Sequence, residues 1–392
     1  MALRQSTTAD MYSLAGYGEM IADRVRMEAY AEALRRTVKP GARVMDLGTG
    51  PGIWAVLACQ LGANRVIAVE PDGIIQVARE VAVRNQCSDK IEFIEKISTH
   101  CDVAIRVDVI VADLRGVLPL LGQSVASIVD ARQRFLAPGG VLIPRREMVW
   151  AAVVEAPQVY HHFVEPWEQN LLKQDLDPAR RRAVNAPQKA RAKPNQLLTK
   201  PALWATVDYT AIENPDVQGE LAWAVERNGV GHGILAWFDS ELTDEVGFST
   251  APGAPETVYG SLFFPWQDSV WLAAGQNVRV NLEAKLVEDD YVWRWTTQIE
   301  PPKGTGDSRV HFEQSSLQGE VISLHALQKQ ASDYVPRLSE EGRIHRRILE
   351  MMDGRASLED IARQLAAEFP TRFTRWQQAL SYVGTVSQKL GE

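Results

Sequence analysis

Val44-Met45-Asp46-Leu47-Gly48-Thr49-Gly50-Pro51-Gly52 stands between a short apolar run that starts at Arg43 and a helical pattern that starts at Ile53. Alternating glycines let the backbone turn tightly and let a ligand come close to the chain. The helix behind them offers free N–H groups at its N-terminus. A dinucleotide fingerprint spaces its glycines G-x-G-x-x-G. Here the spacing is G-x-G-x-G, with an acid, Asp46, just before it. A second acid, Glu70, ends the next apolar run, 20 residues after Gly50. A carboxylate at that place in a doubly wound fold can accept both hydroxyls of a ribose.

Outward from this segment the chain alternates between strand and helix. Strands are expected at Arg43 to Leu47, Arg65 to Glu70, Ile91 to Ile94, Val107 to Ala112 and Val141 to Ile143. Helical spacing covers Met20 to Val38, Ile53 to Leu61, Ile74 to Arg84 and Val125 to Leu136. This order predicts an α/β domain over residues 1–145, a parallel sheet with helices on both faces. From residue 146 to about 330 the runs are short and alternating, as in Leu221 to Val225, Gly233 to Phe238 and Val278 to Leu286. They predict antiparallel β, a barrel or sandwich. The basic stretch 177–194 within it reads as a solvated loop. Residues 331–392 are helical again: Leu338 to Met352, a helix capped by Ser357 with Asp360 in the box position, and a third from about Arg375 to Leu390.

Composition narrows the function classes. The chain has 392 residues, 45% hydrophobic and 23% charged, which suits two or three folded domains and excludes wholesale disorder. No apolar run approaches the ~20 residues of a membrane helix, and Met1 to Asp10 is polar, unlike a secretory signal. Fifty acids against 42 bases give a net charge of −8, which argues against a nucleic-acid-coating role. Cys59, Cys87 and Cys101 lack metal-site spacing and read as reduced thiols of a cytoplasmic protein with no metal centre.

An acid beside the glycine loop is a poor host for a pyrophosphate. It suits a cofactor whose nearby end carries an ammonium and a sulfonium, which is S-adenosylmethionine, and the segment resembles motif I of class I methyltransferases. Tyr17-Gly18-Glu19-Met20-Ile21-Ala22-Asp23-Arg24-Val25-Arg26 resembles the N-terminal helix of protein arginine methyltransferases. That resemblance implies that Arg26 holds the cofactor carboxylate, as a guanidinium does in a fork. Ala112-Asp113-Leu114-Arg115-Gly116, Ala131-Arg132, Leu136-Ala137-Pro138-Gly139-Gly140 and Gly247-Phe248-Ser249-Thr250-x-Pro252 match further segments of the family in order, over about residues 12–300. The expected cofactor set is Met20, Arg26, Asp46, Gly48, Thr49, Gly50, Gly52, Glu70, Pro71, Ile97, Ser98 and Asp113. The resemblance also implies a seven-stranded Rossmann-like methyltransferase domain and a following β-barrel. The barrel would carry a dimerisation arm within residues 160–195 (apolar face Phe163, Trp167, Leu171 and Leu172) and support a homodimer.

The substrate side departs from the family. Where the family carries two glutamates nine residues apart, this chain has Asp113 and Gly122, and in place of a Thr-His-Trp stretch it has Thr257-Val258-Tyr259. Burying a guanidinium on one carboxylate instead of two costs about several kcal/mol. The expected acceptor is therefore a nitrogen of a peptide or small molecule, which needs orientation and a base. Asp113 is the candidate base or orienting acid, Tyr259 and Tyr17 are candidate pocket hydroxyls, and His161 and His162 read as surface residues. The alternatives are an arginine methyltransferase with a re-formed site and a silent binding protein that keeps the cofactor fold. Residues 332–392 resemble PqqD-like modules, which implies capture of a precursor-peptide leader by strand addition.

Overall fold

The computed structural model describes residues 13–102, 104–301 and 309–391. The polar stretch Met1 to Asp10 lies outside them. Val44, Met45, Asp46 and Leu47 are all buried in β1 (Arg43–Leu47), because the sheet that contains it is covered on both faces. β1 pairs in parallel with β2 (Arg65–Val69) on one side and β4 (Val107–Ala112) on the other. β3 (Ile91–Ile94) and β5 (Leu136–Ile143) complete the order β3-β2-β1-β4-β5. Strand order reverses between β1 and β4, so the loops after these two strands diverge and leave a crevice.

This sheet has five strands among the described residues, not the seven expected. After β5 the chain passes Pro144 and enters β6 (Arg146–Val154), which pairs antiparallel with β10 (Gly229–Thr243) in a different sheet. The barrel expectation also needs revision: two antiparallel sheets are present. One orders β7 (Gln188–Ala190), β12 (Ser261–Leu272), β10, β6 and β8 (Ala202–Asp208), with β11 (Val246–Ser249) added to β10. The other orders β15 (Val310–Ser315), β14 (Asp290–Ile299), β13 (Asn277–Val287) and β9 (Val217–Ala224). One apolar core runs through both the parallel sheet and these two, from Met45, Leu47 and Ile110 to Trp204, Trp266 and Trp295. Arg132 of α5 (Ser124–Phe135) ties them further by donating to the carbonyls of Tyr209 and Ile212, at 2.7 and 2.8 Å.

The single helix expected from Met20 to Val38 is two, α1 (Leu14–Ala22) and α2 (Arg24–Thr37). Asp23 breaks it. Its φ and ψ of −70° and 92° leave the helical region, and its carboxylate caps Arg26 N at 3.0 Å while accepting from Val258 N at 2.7 Å. A short polar side chain with two acceptors stabilises the break that apolar periodicity does not register.

The basic stretch read as a loop contains structure. α6 (Pro157–Glu168) and α7 (Asp177–Ala183) form a helical hairpin, and Arg180 of α7 pairs with Glu168 and Asp268 at 2.6 Å each. Leu171, Leu172 and Trp167 at its tip are exposed.

Ile322–Glu392 forms a second compact unit. Its helices, α8 (Glu340–Met351), α9 (Leu358–Glu368) and α10 (Trp376–Leu390), close on Ile344, Ile348, Ile361, Leu365 and Val383. Ser357 and Asp360 make the expected capping box. Among its described residues there is no strand, so strand addition of a leader peptide has no edge to use.

Candidate active site

Gly48, Gly50 and Gly52 all have positive φ, 72°, 52° and 86°, and the chain turns through them from β1 into α3 (Ile53–Gln60). At Gly50 even a methyl would lie 2.8 Å from the ring of Tyr17, which packs over the loop from α1. Asp46 lies behind the loop. Its Oδ2 accepts from Thr49 Oγ1 at 2.5 Å and from Ala55 N at 2.9 Å, fixing the turn to the start of α3. Burial pushes its carboxyl up to about 7, against those two hydrogen bonds. Glu70, at the end of β2, accepts from Gly50 N at 3.0 Å and Asp72 N at 3.1 Å. Burial raises its carboxyl too.

These loops border a cavity of about 400 Å³. Of the residues expected from sequence, Tyr17, Met20, Arg26, Gly48, Thr49, Gly50, Glu70, Pro71 and Asp113 line it. Asp46 and Gly52 support the loop from behind. Ile97 and Ser98 are not in its wall: Ile97 faces solvent, and the Ser98 carbonyl accepts from Arg134 instead. Trp54, Leu114 and Asp72 line the cavity without having been expected. Trp54 stacks on Tyr30, with ring centroids 5.1 Å apart, and both rings flank the Arg26 guanidinium.

The cavity suits S-adenosylmethionine on its own chemistry. Asp46 Oδ1 is buried without a partner among the described residues, an uncompensated acceptor beside the glycine loop. Glu70 and Arg26 both reach this cavity, a carboxylate able to accept from hydroxyls and a guanidinium able to pair with a carboxylate.

The acceptor side is a buried charge network. Arg26 donates to Asp113 Oδ2 at 2.5 Å and to Tyr259 Oη at 3.1 Å. Tyr259 donates to Asp113 Oδ1 at 2.7 Å, and the Asp113 side chain is 4% exposed. Burial alone would raise the Asp113 carboxyl, but the charges of Arg26 and Arg115 hold it below the usual carboxylate range. Burial holds the Tyr259 hydroxyl far above the usual phenol range, and the neighbouring carboxylate adds to this. Arg115, two residues on, is wholly enclosed. It pairs with Glu147 of β6 at 2.8 Å, donates to Tyr30 and Ser240, and is ringed by Tyr30, Phe238, Phe248 and Tyr259. Glu147 had no local sequence signal, because its partner comes from a strand of another sheet.

Gly122 takes no part in this network. Its φ is +49°, and its N–H donates to Asp290 Oδ1 at 3.0 Å at the β13–β14 hairpin. His161 and His162 are exposed on α6. The cysteines Cys59, Cys87 and Cys101 are buried and free, and among the described residues no cluster could hold a metal. Among them, too, no helix is long and apolar enough to cross a membrane.

Comparison with known proteins agrees with this architecture. Residues 29–169 match the family described as ribosomal protein L11 methyltransferase (PrmA), and residues 145–298 match the arginine methyltransferase oligomerization subdomain. A probable protein arginine N-methyltransferase 6 of Arabidopsis thaliana is 30% identical over 252 residues, covering 62% of this chain and 58% of that protein. Protein arginine N-methyltransferase 1 of Dictyostelium discoideum is 26% identical, covering 70% of this chain and 84% of that protein. Among solved structures, the Trypanosoma brucei PRMT1 enzyme-prozyme heterotetrameric complex with AdoHcy matches with a TM-score of 0.70 and 20% identity, covering 78% of this chain and 99% of that one. Protein arginine methyltransferase 10 of Arabidopsis thaliana matches with a TM-score of 0.68 and 21% identity, covering 78% and 98%. With the glycine loop, Glu70 and the buried Arg26 around one cavity, the chain is an S-adenosylmethionine-dependent methyltransferase similar to protein arginine methyltransferases.

Proposed function

We propose that this methyltransferase acts on a nitrogen other than the guanidinium of arginine, on a peptide or small molecule, and that it works as a homodimer. One observation carries the acceptor reading: the acceptor side offers no free carboxylate. Both Asp113 oxygens are engaged, by Arg26 and Tyr259, and the second position is Gly122, turned to the β13–β14 hairpin. A guanidinium entering here would compete with the buried Arg26 for Asp113, and separating that pair costs about 3–5 kcal/mol.

In this reading Arg26 holds the cofactor carboxylate, Glu70 the ribose, and the glycine loop the chain between them. When bound, the cofactor supplies an electrophilic methyl on sulfur. Asp113 orients the acceptor through its charge. Its lowered pKa makes it a weak base, and Tyr259 stays protonated as its donor. The acceptor nitrogen must therefore arrive neutral, attack through its lone pair and lose its proton to solvent. The exposed tip of the α6–α7 hairpin, Trp167, Leu171 and Leu172, is the surface proposed to dock on the second copy.

The names of the relatives favour one other reading, an arginine methyltransferase with a re-formed site. Mass spectrometry after incubation with S-adenosylmethionine decides between them, using a Gly-Arg-rich peptide beside peptides bearing lysine, histidine or a free N-terminus. Methyl transfer to a peptide without arginine supports the proposal. Efficient methylarginine formation overturns it.

A further inference from the structure

A second cavity, of about 190 Å³, lies on the segment that carries Tyr259, the partner of Asp113, and Arg191, Lys193, Thr250, Thr257, Gly260 and Ser261 are among the residues of its wall. We propose that it is a subsite for a carboxylate carried by the methyl acceptor, an acidic side chain next to the modified residue of a peptide. The inference rests on the reading above that the acceptor is not arginine.

Three observations meet there. Thr257 is 3% exposed, and its Oγ1 has no partner among the described residues. A buried hydroxyl left without a partner is a standing cost that a bound acceptor atom removes. The other hydroxyls of this wall are engaged: Thr250 Oγ1 accepts from Phe238 N at 3.0 Å, and Ser261 donates to the Thr250 carbonyl at 3.5 Å.

Second, the same segment gathers cations. Arg191 donates to the Thr257 carbonyl at 2.5 Å and Lys189 to the Val258 carbonyl at 2.7 Å. Burial, and then the charge of Arg191, press the Lys189 ammonium below its usual range. Glu256, exposed in the cavity wall, and Glu19, near Lys189, are the acids that face this group. An incoming carboxylate would offset the like charges and accept from both the Thr257 hydroxyl and the Arg191 fork.

Third, the placement is right for an acceptor that spans both cavities. Thr257 precedes by two residues Tyr259, whose hydroxyl touches Asp113. Their backbones lie within ~7 Å of each other, so an acceptor peptide that follows this segment runs from the Thr257 cavity toward Asp113.

Saturation-transfer NMR on the full chain with bound S-adenosylhomocysteine tests this, with N-acetylglutamate amide as probe and N-acetylglutamine amide as its neutral twin. Transfer to the glutamate probe alone is expected, falling at least five-fold in Arg191→Gln and in Thr257→Val. Thr257→Val removes an unpaired hydroxyl, so its melting temperature should hold or rise while binding is lost. A purely structural threonine would leave binding unchanged. Equal transfer to both probes, transfer to neither, or signals untouched by both substitutions would overturn the subsite. Methylarginine formation in the mass-spectrometric assay would defeat the acceptor reading and leave this binding result standing on its own.

Discussion

Asp113 sits within reach of two arginines, and its neighbourhood explains much of the site. Arg26 and Arg115 against Asp113 and Glu147 make a balanced buried set: the arginines donate to Tyr259, Tyr30 and Ser240, and the carboxylates accept from Tyr259, Tyr209 and Ser240. Removing one member leaves an uncompensated charge, so Arg26→Ala should cost about 3–5 kcal/mol of stability as well as cofactor affinity. Glu70 is the cleaner probe because it has no buried cationic partner. Glu70→Ala should weaken binding of S-adenosylmethionine by ~1.5–3 kcal/mol, the scale of a charged hydrogen bond; unchanged affinity by calorimetric titration would remove Glu70 from the ribose site. Asp46 gives the site a pH dependence. Its carboxyl is raised to about 7, so the fold is favoured by its protonated form. That contribution is complete below the ordinary carboxylate range and fades as pH rises through 7. A cofactor bearing an ammonium and a sulfonium favours the ionised form instead. Its affinity should therefore rise from about pH 6 to pH 8 and then level, with proton release on binding at the lower end. In Asp46→Asn the slope should vanish, which calorimetry in buffers of different ionisation heat will read.

The break between α1 and α2 shows how one capping residue can organise a site. Asp23 turns the chain so that Arg26 points inward, and its second oxygen ties Val258, which places Tyr259 against Asp113. The turn that carries Gly122 shows the opposite: a position that cannot simply be given its carboxylate back. Its φ of +49° makes any side chain costly there, by roughly 1–2 kcal/mol. A Cβ there would make only ordinary contact, 3.7 Å from the Asp289 carbonyl, so the cost lies in the backbone. Gly122→Glu is therefore expected to lower the melting temperature and to yield no methylarginine. Appearance of methylarginine in that variant would mean that the loop can swing toward Asp113.

The two β-rich layers cannot be separated from the cofactor sheet, because one apolar core runs through all three. The C-terminal unit has its own core and is a different matter. Deleting residues 322–392 should leave cofactor binding intact and remove a thermal transition of its own; loss of cofactor binding would show that the unit supports the catalytic part. Assembly should depend on the α6–α7 hairpin. Leu171→Asp with Leu172→Asp puts two charges where exposed leucines stand, and light scattering should then report a monomer in place of a dimer. An unchanged mass would place the dimer contact elsewhere.

Local pattern alone was enough for the parallel strands. β1 and β4 begin and end where apolar runs do, since a doubly covered strand is largely apolar, while the edge strand β3 is short and mostly unburied. The places of the glycine loop and Glu70 beside the cavity were legible for a similar reason: they follow from backbone freedom and spacing within one β-α-β unit. What the sequence left open depends on residues far apart in the chain. The split at Asp23 is stabilised by Val258, 235 residues away. The transfer of the chain into a second sheet after β5 replaced the expected sixth and seventh strands, and apolar alternation does not say which strand a strand will meet. The enclosure of Arg115 needs Glu147, Tyr30 and three further aromatic rings that only packing assembles. A charge can be buried only where its partners already are, so the acceptor side of the site was decided by the tertiary structure.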